Sequence, residues 1–256
     1  MSSPAFNLGQ LRAGIKPFRL HWFSRLRSTN DHAAVLRKRG ELFAPAIVLT
    51  GHQTAGRGRN SNTWWSGSGT LTVTFVLPID EQLSPHQLPL IAGLAVRNAT
   101  ARLSGNDAIQ LKWPNDLLYR GRKLAGLLCE RVHKADLVGL GLNVNPDRTA
   151  PRNLRDQMIS VAEIAEKPSM DKTETLITIA KQLHPMLMRR AEQPFAKILR
   201  EYDQHHALIG KRVVILGNGA ESVSGTCQGL DSMGRLLLRS RNGELHRIIA
   251  GQVRLA

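Results

Sequence analysis

Apolar and polar residues alternate in the stretch FRLHWFSRL at 18–26, where Phe18, Leu20 and Trp22 interleave with Arg19 and His21. That period of two predicts a half-buried strand. STNDHAAVLRKRG follows, with Ser28 and Thr29 as capping candidates, a helix-compatible run through Leu36, basic residues in the last turn and Gly40 as terminator. AIVL at 46–49 and TLTVTFVL at 70–77 are rich in β-branched residues, the second run placing Leu71, Val73, Phe75 and Leu77 on one face. Residues 87–103 carry Leu90, Ile91, Leu94 and Ala95 at helical spacing, with a start at or after Pro89. IQLKW at 109–113, KLAGLLCERV at 123–132 and DLVGLGLNV at 136–144 read as strands, the first two flanking the turn signal YRGRK. Strands in such close succession suggest antiparallel pairing.

From 160 to about 206 the pattern turns helical: Leu176, Ile179, Ala180, Leu183 and Leu187 recur at three- and four-residue spacing, and Pro185 is expected to interrupt. Beyond HHALIGKR come the short runs RVVIL, SVSGTCQGL, GRLLLRS and HRIIAG, separated by Gly, Asn and Asp turns. Three segments result. Residues 1–17 form an N-terminal extension, 18–207 an α+β unit with a mixed, largely antiparallel sheet and flanking helices, and 208–256 a small all-β barrel. A barrel of that size is marginal alone, so it is expected to pack on its neighbour.

Composition narrows the class. The chain of 256 residues is 42% hydrophobic, yet no stretch approaches the ~18 uninterrupted apolar residues that cross a bilayer. The first residues lack an apolar core followed by a cleavage site, so no export signal or membrane partner is expected and a cytoplasmic location follows. Cys129 and Cys227 are too few and too far apart for a disulfide framework and are read as reduced thiols. Net charge is +15, from 35 Lys and Arg against 20 Asp and Glu, which suits a polyanion or an acidic protein without choosing between them. Basic residues are scattered and only 5% of residues are aromatic, so a stacking platform for single-stranded nucleic acid is poorly supported. The nine histidines are dispersed, His205 and His206 are read as a surface pair, and no metal cluster is expected.

The candidate chemistry begins with GRGRNSNTWW at 56–65. Glycine lets backbone approach a ligand closely, and arginine offers a planar fork to phosphate or carboxylate oxygens. An anion cradle beside an aromatic wall is the reading. In KWPND at 112–116, Pro114 fixes a bend from which Asn115 and Asp116 project, either as a structural turn or as polar groups at a strand end. Lys123 follows a Gly-Arg turn, and Trp65 and Trp113 are read as core.

Taken together, STN at 28–30, HQTAGRGR at 52–59, LKWPNDLLYRGRKLAGLL at 111–128, GLGLNVN at 139–145 and the terminal barrel resemble biotin protein ligase, in that family's order from about Leu20 to the end. The resemblance implies a class II synthetase-like biotin/lipoate ligase fold with a C-terminal SH3-like barrel. It also implies an enzyme that joins biotin to ATP as biotinyl-5′-adenylate, then transfers biotin to a lysine of a biotin carboxyl carrier domain. Magnesium would arrive with ATP rather than in a protein cage. Ser28, Thr29, Asn30 and Gln53 correspond to positions that hydrogen-bond the ureido ring, although a helix cap also explains Ser28 or Thr29. Gly56, Arg57, Gly58, Arg59 and Lys123 correspond to the rest of the biotin site, and Arg59, Trp64, Lys112, Asn115 and Asn143 to the nucleotide site. The catalytic set implied is Lys123, Arg57 and Arg59, three cations expected to converge, with Asp116 orienting the incoming amine or accepting its proton.

Two departures stand out. NSNT at 60–63 replaces the further basic residues and glycine of many relatives, and the chain finishes in Ala256 where some relatives have arginine. Only some twenty residues precede the first strand, so the monofunctional type without an N-terminal DNA-binding domain is expected, with no nucleic-acid partner. Relatives vary in oligomeric state, and a homodimer is among the options. Two alternatives remain at this point: a lipoate ligase of the same fold, and a non-catalytic basic nucleic-acid-binding protein.

Overall fold

The computed structural model describes residues 6–60, 62–188, 194–216 and 222–256. Residues 1–5 of the expected N-terminal extension, Ser61 of the NSNT departure, 189–193 and 217–221 lie outside the described residues.

The larger unit is built on a seven-stranded sheet in the order β1-β2-β3-β7-β6-β5-β4. These strands are β1 (Arg19–Leu26), β2 (Ala46–Gln53), β3 (Thr70–Leu77), β4 (Gln110–Lys112), β5 (Asp116–Tyr119), β6 (Arg122–Val132) and β7 (Ala135–Asn143). Only β1 and β2 pair in parallel, as a crossover through helix α2 (Thr29–Lys38) requires. The other neighbours are antiparallel. β5 and β6 meet through Arg120 and Gly121, both at positive φ, which is the backbone of a tight two-residue hairpin. YRGRK is that turn, but β5 was not legible as a strand of its own.

Alternation assigns the two faces. Leu71, Val73, Phe75 and Leu77 of β3 enter the main core with Val138, Leu140 and Leu142 of β7, beneath α3 (Leu88–Ser104) and α6 (Lys172–Met188). The opposite face receives α2, and on it stand Thr72 and Thr74 of β3 and Gly139 and Gly141 of β7. Both strands are buried along their whole length, so each face is covered.

Residues 6–17 of the N-terminal extension pack on the larger unit: α1 (Leu8–Gly14) lies on α6, and Phe6, Leu11 and Ile15 are buried in the main core. Each fully buried Leu or Ile contributes roughly 1.5–3 kcal/mol, enough to hold the segment down. Two expectations change. Pro185 does not interrupt α6, which runs on to Met188. Burial of Leu183, Met186 and Leu187 around it offsets the lost backbone bond. His206 is buried, not on the surface, because the chain after α7 (Phe195–Gln204) pairs with the open edge of β4. Leu111 donates to the His205 carbonyl and Ala207 to the Leu111 carbonyl, each at 2.8 Å.

The C-terminal unit is a five-stranded antiparallel sheet in the order β11-β10-β9-β8-β12. Its strands are β8 (Arg212–Leu216), β9 (Ser222–Leu230), β10 (Leu236–Arg239), β11 (Leu245–Ile248) and β12 (Gln252–Leu255). Among the described residues β11 and β12 do not pair, so the sheet does not close. Val213, Ile215, Cys227, Leu238 and Val253 belong to the same core as the larger unit, and Trp113 donates to the Gly234 carbonyl across the junction. Among the described residues, no helix is long and apolar enough to cross a membrane.

Candidate active site

The α2 face of the sheet holds a cavity of about 180 Å³. Ser28, Thr29, Asn30, Gln53, Arg57, Gly58, Arg59, Trp64, Lys112, Asn115, Asp116 and Lys123 all line it, although they come from separate parts of the chain.

One end is neutral and polar. The Ser28 hydroxyl accepts from the Asp31 N–H at 3.3 Å and caps α2, so the capping explanation holds for Ser28 while the residue also faces the cavity. Gln53 Oε1 accepts from the backbone N–H of Thr29 at 2.8 Å and from its hydroxyl at 3.0 Å. The Thr74 hydroxyl lies 2.8 Å from that of Thr29 and donates to Asn30 Oδ1 at 2.6 Å. The Asn30 amide donates to the Leu128 carbonyl at 3.1 Å and to Glu130 at 2.7 Å. A buried network with few unmet groups is rigid, and it presents hydroxyls and amides of both hydrogen-bonding senses to a ligand.

The floor between the ends is glycine. A Cβ on Gly139 would lie 2.4 Å from Asn30 Oδ1, and one on Gly141 would lie 2.2 Å from the Trp64 ring. Such distances exclude any side chain without displacement of its neighbour. The leucines of GLGLNV go to the core and the glycines to the site, an alternation that could have marked the floor from sequence.

The other end is charged. Lys123 Nζ lies 2.8 Å from Asp116 Oδ1, the two residues standing on paired strands β6 and β5. The same ammonium is 5.8 Å from the Trp64 ring centroid. Arg59 donates to Asn115 Oδ1 at 3.2 Å. Burial draws the Arg59 guanidinium below its ordinary value, against the opposing pull of Asp116 and Cys129. Asn115 is fixed in turn by its amide bond to the Leu127 carbonyl at 2.6 Å.

Arg57 behaves differently. It lines the cavity, but its guanidinium is held at the rim by Asp31 at 2.5 Å and Glu130 at 3.2 Å. Burial opposes its charge, but the Asp31 hydrogen bond and the two carboxylates outweigh that and raise its affinity for the proton. Of the three cations expected to converge, Lys123 and Arg59 share the neighbourhood of Asp116, whereas Arg57 is turned toward two other carboxylates.

Two assigned positions lie outside the cavity lining. Asn143 is buried; its amide donates to the Lys123 carbonyl at 3.0 Å and braces the strand that bears the lysine, while its Oδ1 has no partner among the described residues. Gly56 is approached by its own chain: its carbonyl accepts from Trp64 N–H at 2.9 Å, and a Cβ there would lie 2.7 Å from the Trp64 carbonyl. Gly58 lines the cavity, but its N–H is taken by the Asn62 carbonyl at 2.7 Å and is no free donor. Trp113 is core as expected, while Trp65 anchors its loop by donating to Asp147 at 2.9 Å. Sequence reasoning missed Thr74 and Glu130, and also Gly251, Gln252 and Val253, by which the C-terminal unit closes one side of the cavity. Among the described residues no group of three or more His, Cys, Asp or Glu is placed to hold a metal. The cavity's carboxylate, Asp116, is already engaged by Lys123, so these residues do not fit a magnesium cage.

The biotin/lipoate A/B protein ligase family matches residues 22–147, and the biotin protein ligase C-terminal domain matches 208–255. A biotin–[acetyl-CoA-carboxylase] ligase of Paracoccus denitrificans is 31% identical over 226 residues, covering 85% of this chain and 93% of the relative. One of Mycobacterium tuberculosis is 30% identical over 220 residues, covering 82% and 79%. Among solved structures, biotin protein ligase from Aquifex aeolicus in complex with biotin and ATP matches with a TM-score of 0.81 at 28% identity, covering 93% of this chain and 99% of that one.

Proposed function

Because the chain belongs to the biotin protein ligases, within the biotin/lipoate A/B protein ligase family, we propose that it activates biotin with ATP and passes the biotinyl group to one lysine of a biotin carboxyl carrier domain. The observation that carries this reading is a single cavity with two chemically distinct ends, a hydroxyl and amide cluster at Thr29, Asn30 and Gln53 and a cationic end at Lys123 and Arg59. The first end suits a urea, which has one carbonyl acceptor and two N–H donors. The second suits a carboxylate meeting a phosphate.

In the first step a biotin carboxylate oxygen bonds to the α-phosphorus of ATP, the bond to the bridging oxygen breaks, and pyrophosphate leaves with that oxygen. Two anions repel at short range, so Lys123 is assigned to the point where they meet, with Arg59 adding charge at the phosphate. Trp64, Lys112, Asn115 and Asn143 are assigned to the nucleotide, Asn143 through its unpartnered Oδ1 while its amide holds the Lys123 carbonyl. No residue is assigned to magnesium, which would accompany ATP.

In the second step the acceptor ε-amine attacks the acyl carbon, and AMP departs with the anhydride oxygen. Asp116, 2.8 Å from Lys123, is assigned to orient that amine and to take its proton. Arg57, released from Asp31 and Glu130, would close the loop over the adenylate.

Biotin-dependent exchange of pyrophosphate into ATP tests the first step, and mass spectrometry of a carrier domain tests the second. The expected result is exchange with biotin, none with lipoate, and one biotinyl group per carrier domain. Exchange driven by lipoate alone, or none with either acid, overturns the reading.

A further inference from the structure

The C-terminal sheet turns one face to solvent, and its register fixes what stands there. Arg254 is opposite Val214, and the Ala256 N–H donates to the Arg212 carbonyl at 3.1 Å, so Arg254 and Arg212 share a face with Gln252. Arg212 is opposite Thr226, and Thr226 is opposite Arg239. Leu237, two residues before Arg239 and therefore on the same side, is opposite Arg247. Side chains at paired positions stand side by side. Arginine thus occupies this face on β12, β8, β10 and β11, all four exposed, and β9 between them presents Ser224, Thr226 and Gln228. Arg241 joins Arg212 and Arg239 around a hollow of about 270 Å³ lined otherwise by Gly225, Thr226, Gln228 and Ser240.

Among the described residues no carboxylate pairs with these arginines. Among the described residues the ion pairs of this unit are Arg235 with Asp231 at 2.6 Å and His246 with Glu244 at 3.6 Å. Neither uses an arginine of this face. Arg239 donates to the Gly243 carbonyl at 3.3 Å, a neutral acceptor.

The face also borders the candidate active site. Gln252 lines the cavity with Gly251 and Val253, and it stands on the arginine side of β12. From Gln252 to the level of Arg212, opposite Ala256, is about 13 Å along the strand, and a domain of roughly 100 residues has a radius of gyration of that same size, near 13 Å. A folded acceptor placing its lysine beside Gln252 therefore reaches ground within that distance. Arginine forks match carboxylates two bonds at a time. The face carries no aromatic side chain at the positions named, so it lacks the stacking partners that single-stranded nucleic acid uses.

We propose that this arginine face is the docking surface for the acceptor domain, which it engages through an acidic segment and thereby directs the target lysine past Gln252 into the cavity. The inference rests on the ligase reading. It assigns to the C-terminal unit a role in acceptor capture distinct from closing the cavity.

The test uses the full chain carrying Arg212→Glu with Arg239→Glu, and a milder Arg212→Gln with Arg239→Gln pair should charge reversal impair folding as judged by thermal unfolding. Three quantities are read: biotin-dependent pyrophosphate exchange, transfer to a purified biotin carboxyl carrier domain, and direct binding of that domain at low ionic strength. Exchange is expected within about twofold of the parent, while KM for the carrier domain rises about tenfold or more with kcat unchanged. The salt dependence of transfer should become shallower, because fewer charges steer the encounter. Unchanged KM, binding and salt dependence in a folded variant overturn the proposal. So does a variant that loses affinity for a mixed-sequence oligonucleotide while transfer is untouched, since the face would then serve nucleic acid. A parent that fails exchange but binds the carrier domain through these arginines breaks the ligase reading and leaves the docking surface standing.

Discussion

Lys123 and Arg57 line the same cavity and bear the same charge, but the protein holds them by different means. Lys123 stands on β6 opposite Leu118 of β5, with its backbone N–H donating to the Gln157 carbonyl and its own carbonyl accepting from the Ile159 N–H and the Asn143 amide. Arg57 stands on a loop, outside the main sheet and bridged to Thr63 of the same loop, and its guanidinium is positioned by Asp31 and Glu130. A strand residue is in place before any ligand arrives. A loop residue held by one exposed and one half-buried carboxylate is in a contest that an incoming anion can win, because pairs open to solvent are worth only about 0–1 kcal/mol each. The preorganised side suits the chemical step and the contested side suits closure.

The sharpest way to break this comparison is at Lys123. Lys123→Met should slow biotin-dependent exchange by about 10²–10³-fold, the usual loss when a positioned transition-state contact is removed. Thermal unfolding should be little changed, since the pair with Asp116 is partly exposed. An exchange rate within tenfold of the parent would show that Lys123 is not where the anions meet.

Gly141→Val attacks the floor instead of the cation. Its new side chain collides with the Trp64 ring, which a Cβ alone would meet at 2.2 Å. A loss of about 1–3 kcal/mol is expected from such overpacking, seen as a lowered Tm with altered tryptophan fluorescence. Parent-like values for both would mean that Trp64 does not rest on this glycine.

At the rim the effect is smaller. Glu130→Gln leaves Arg57 with Asp31 alone and weakens the anchor of the Asn30 amide. KM for biotin should shift by about two- to fivefold with kcat for exchange unchanged. A fall in kcat matching that of Lys123→Met would erase the distinction between the two cations.

The mildest prediction concerns the base of the loop. Burial alone would raise the Asp147 carboxyl, but bonds from Thr149 and the Trp65 indole hold it below its ordinary value. The folded state therefore takes up this proton less readily than the unfolded chain. The clamp's contribution is complete above the ordinary aspartate value near 4 and is lost as pH falls through the lowered folded value. Asp147→Asn should flatten that acid limb in a tryptophan-fluorescence titration. An identical titration in parent and variant would remove Asp147 from the anchoring of the loop.

Much of the architecture was legible along the chain because periodicity is local. The strand faces of β3, the cap at Ser28, the helix beginning near Pro89 and the turn at Arg120 and Gly121 all follow from side-chain spacing and backbone preference. Motif order likewise brought Lys123, Arg59, Asn115 and Asp116 to notice as one group. Burial of the N-terminal segment was not legible, since Leu11 and Ile15 are core only because α6 offers them a surface. Nor was the separate fate of Arg57, whose two partners lie 26 and 73 positions away.

Residue types and their spacing, by themselves, settled most of the strands and the longer helices, which chemistry is on offer and which family the chain resembles. Which groups meet was decided by the tertiary fold: Lys123 with Asp116, Arg57 with Glu130, Trp64 on Gly141, and Gln252 of the last strand beside the cavity. The physical reason is range. Backbone preference and alternation act within a few residues, whereas a charge or a ring responds to whatever the packed chain brings within a few ångströms of it, however distant in sequence.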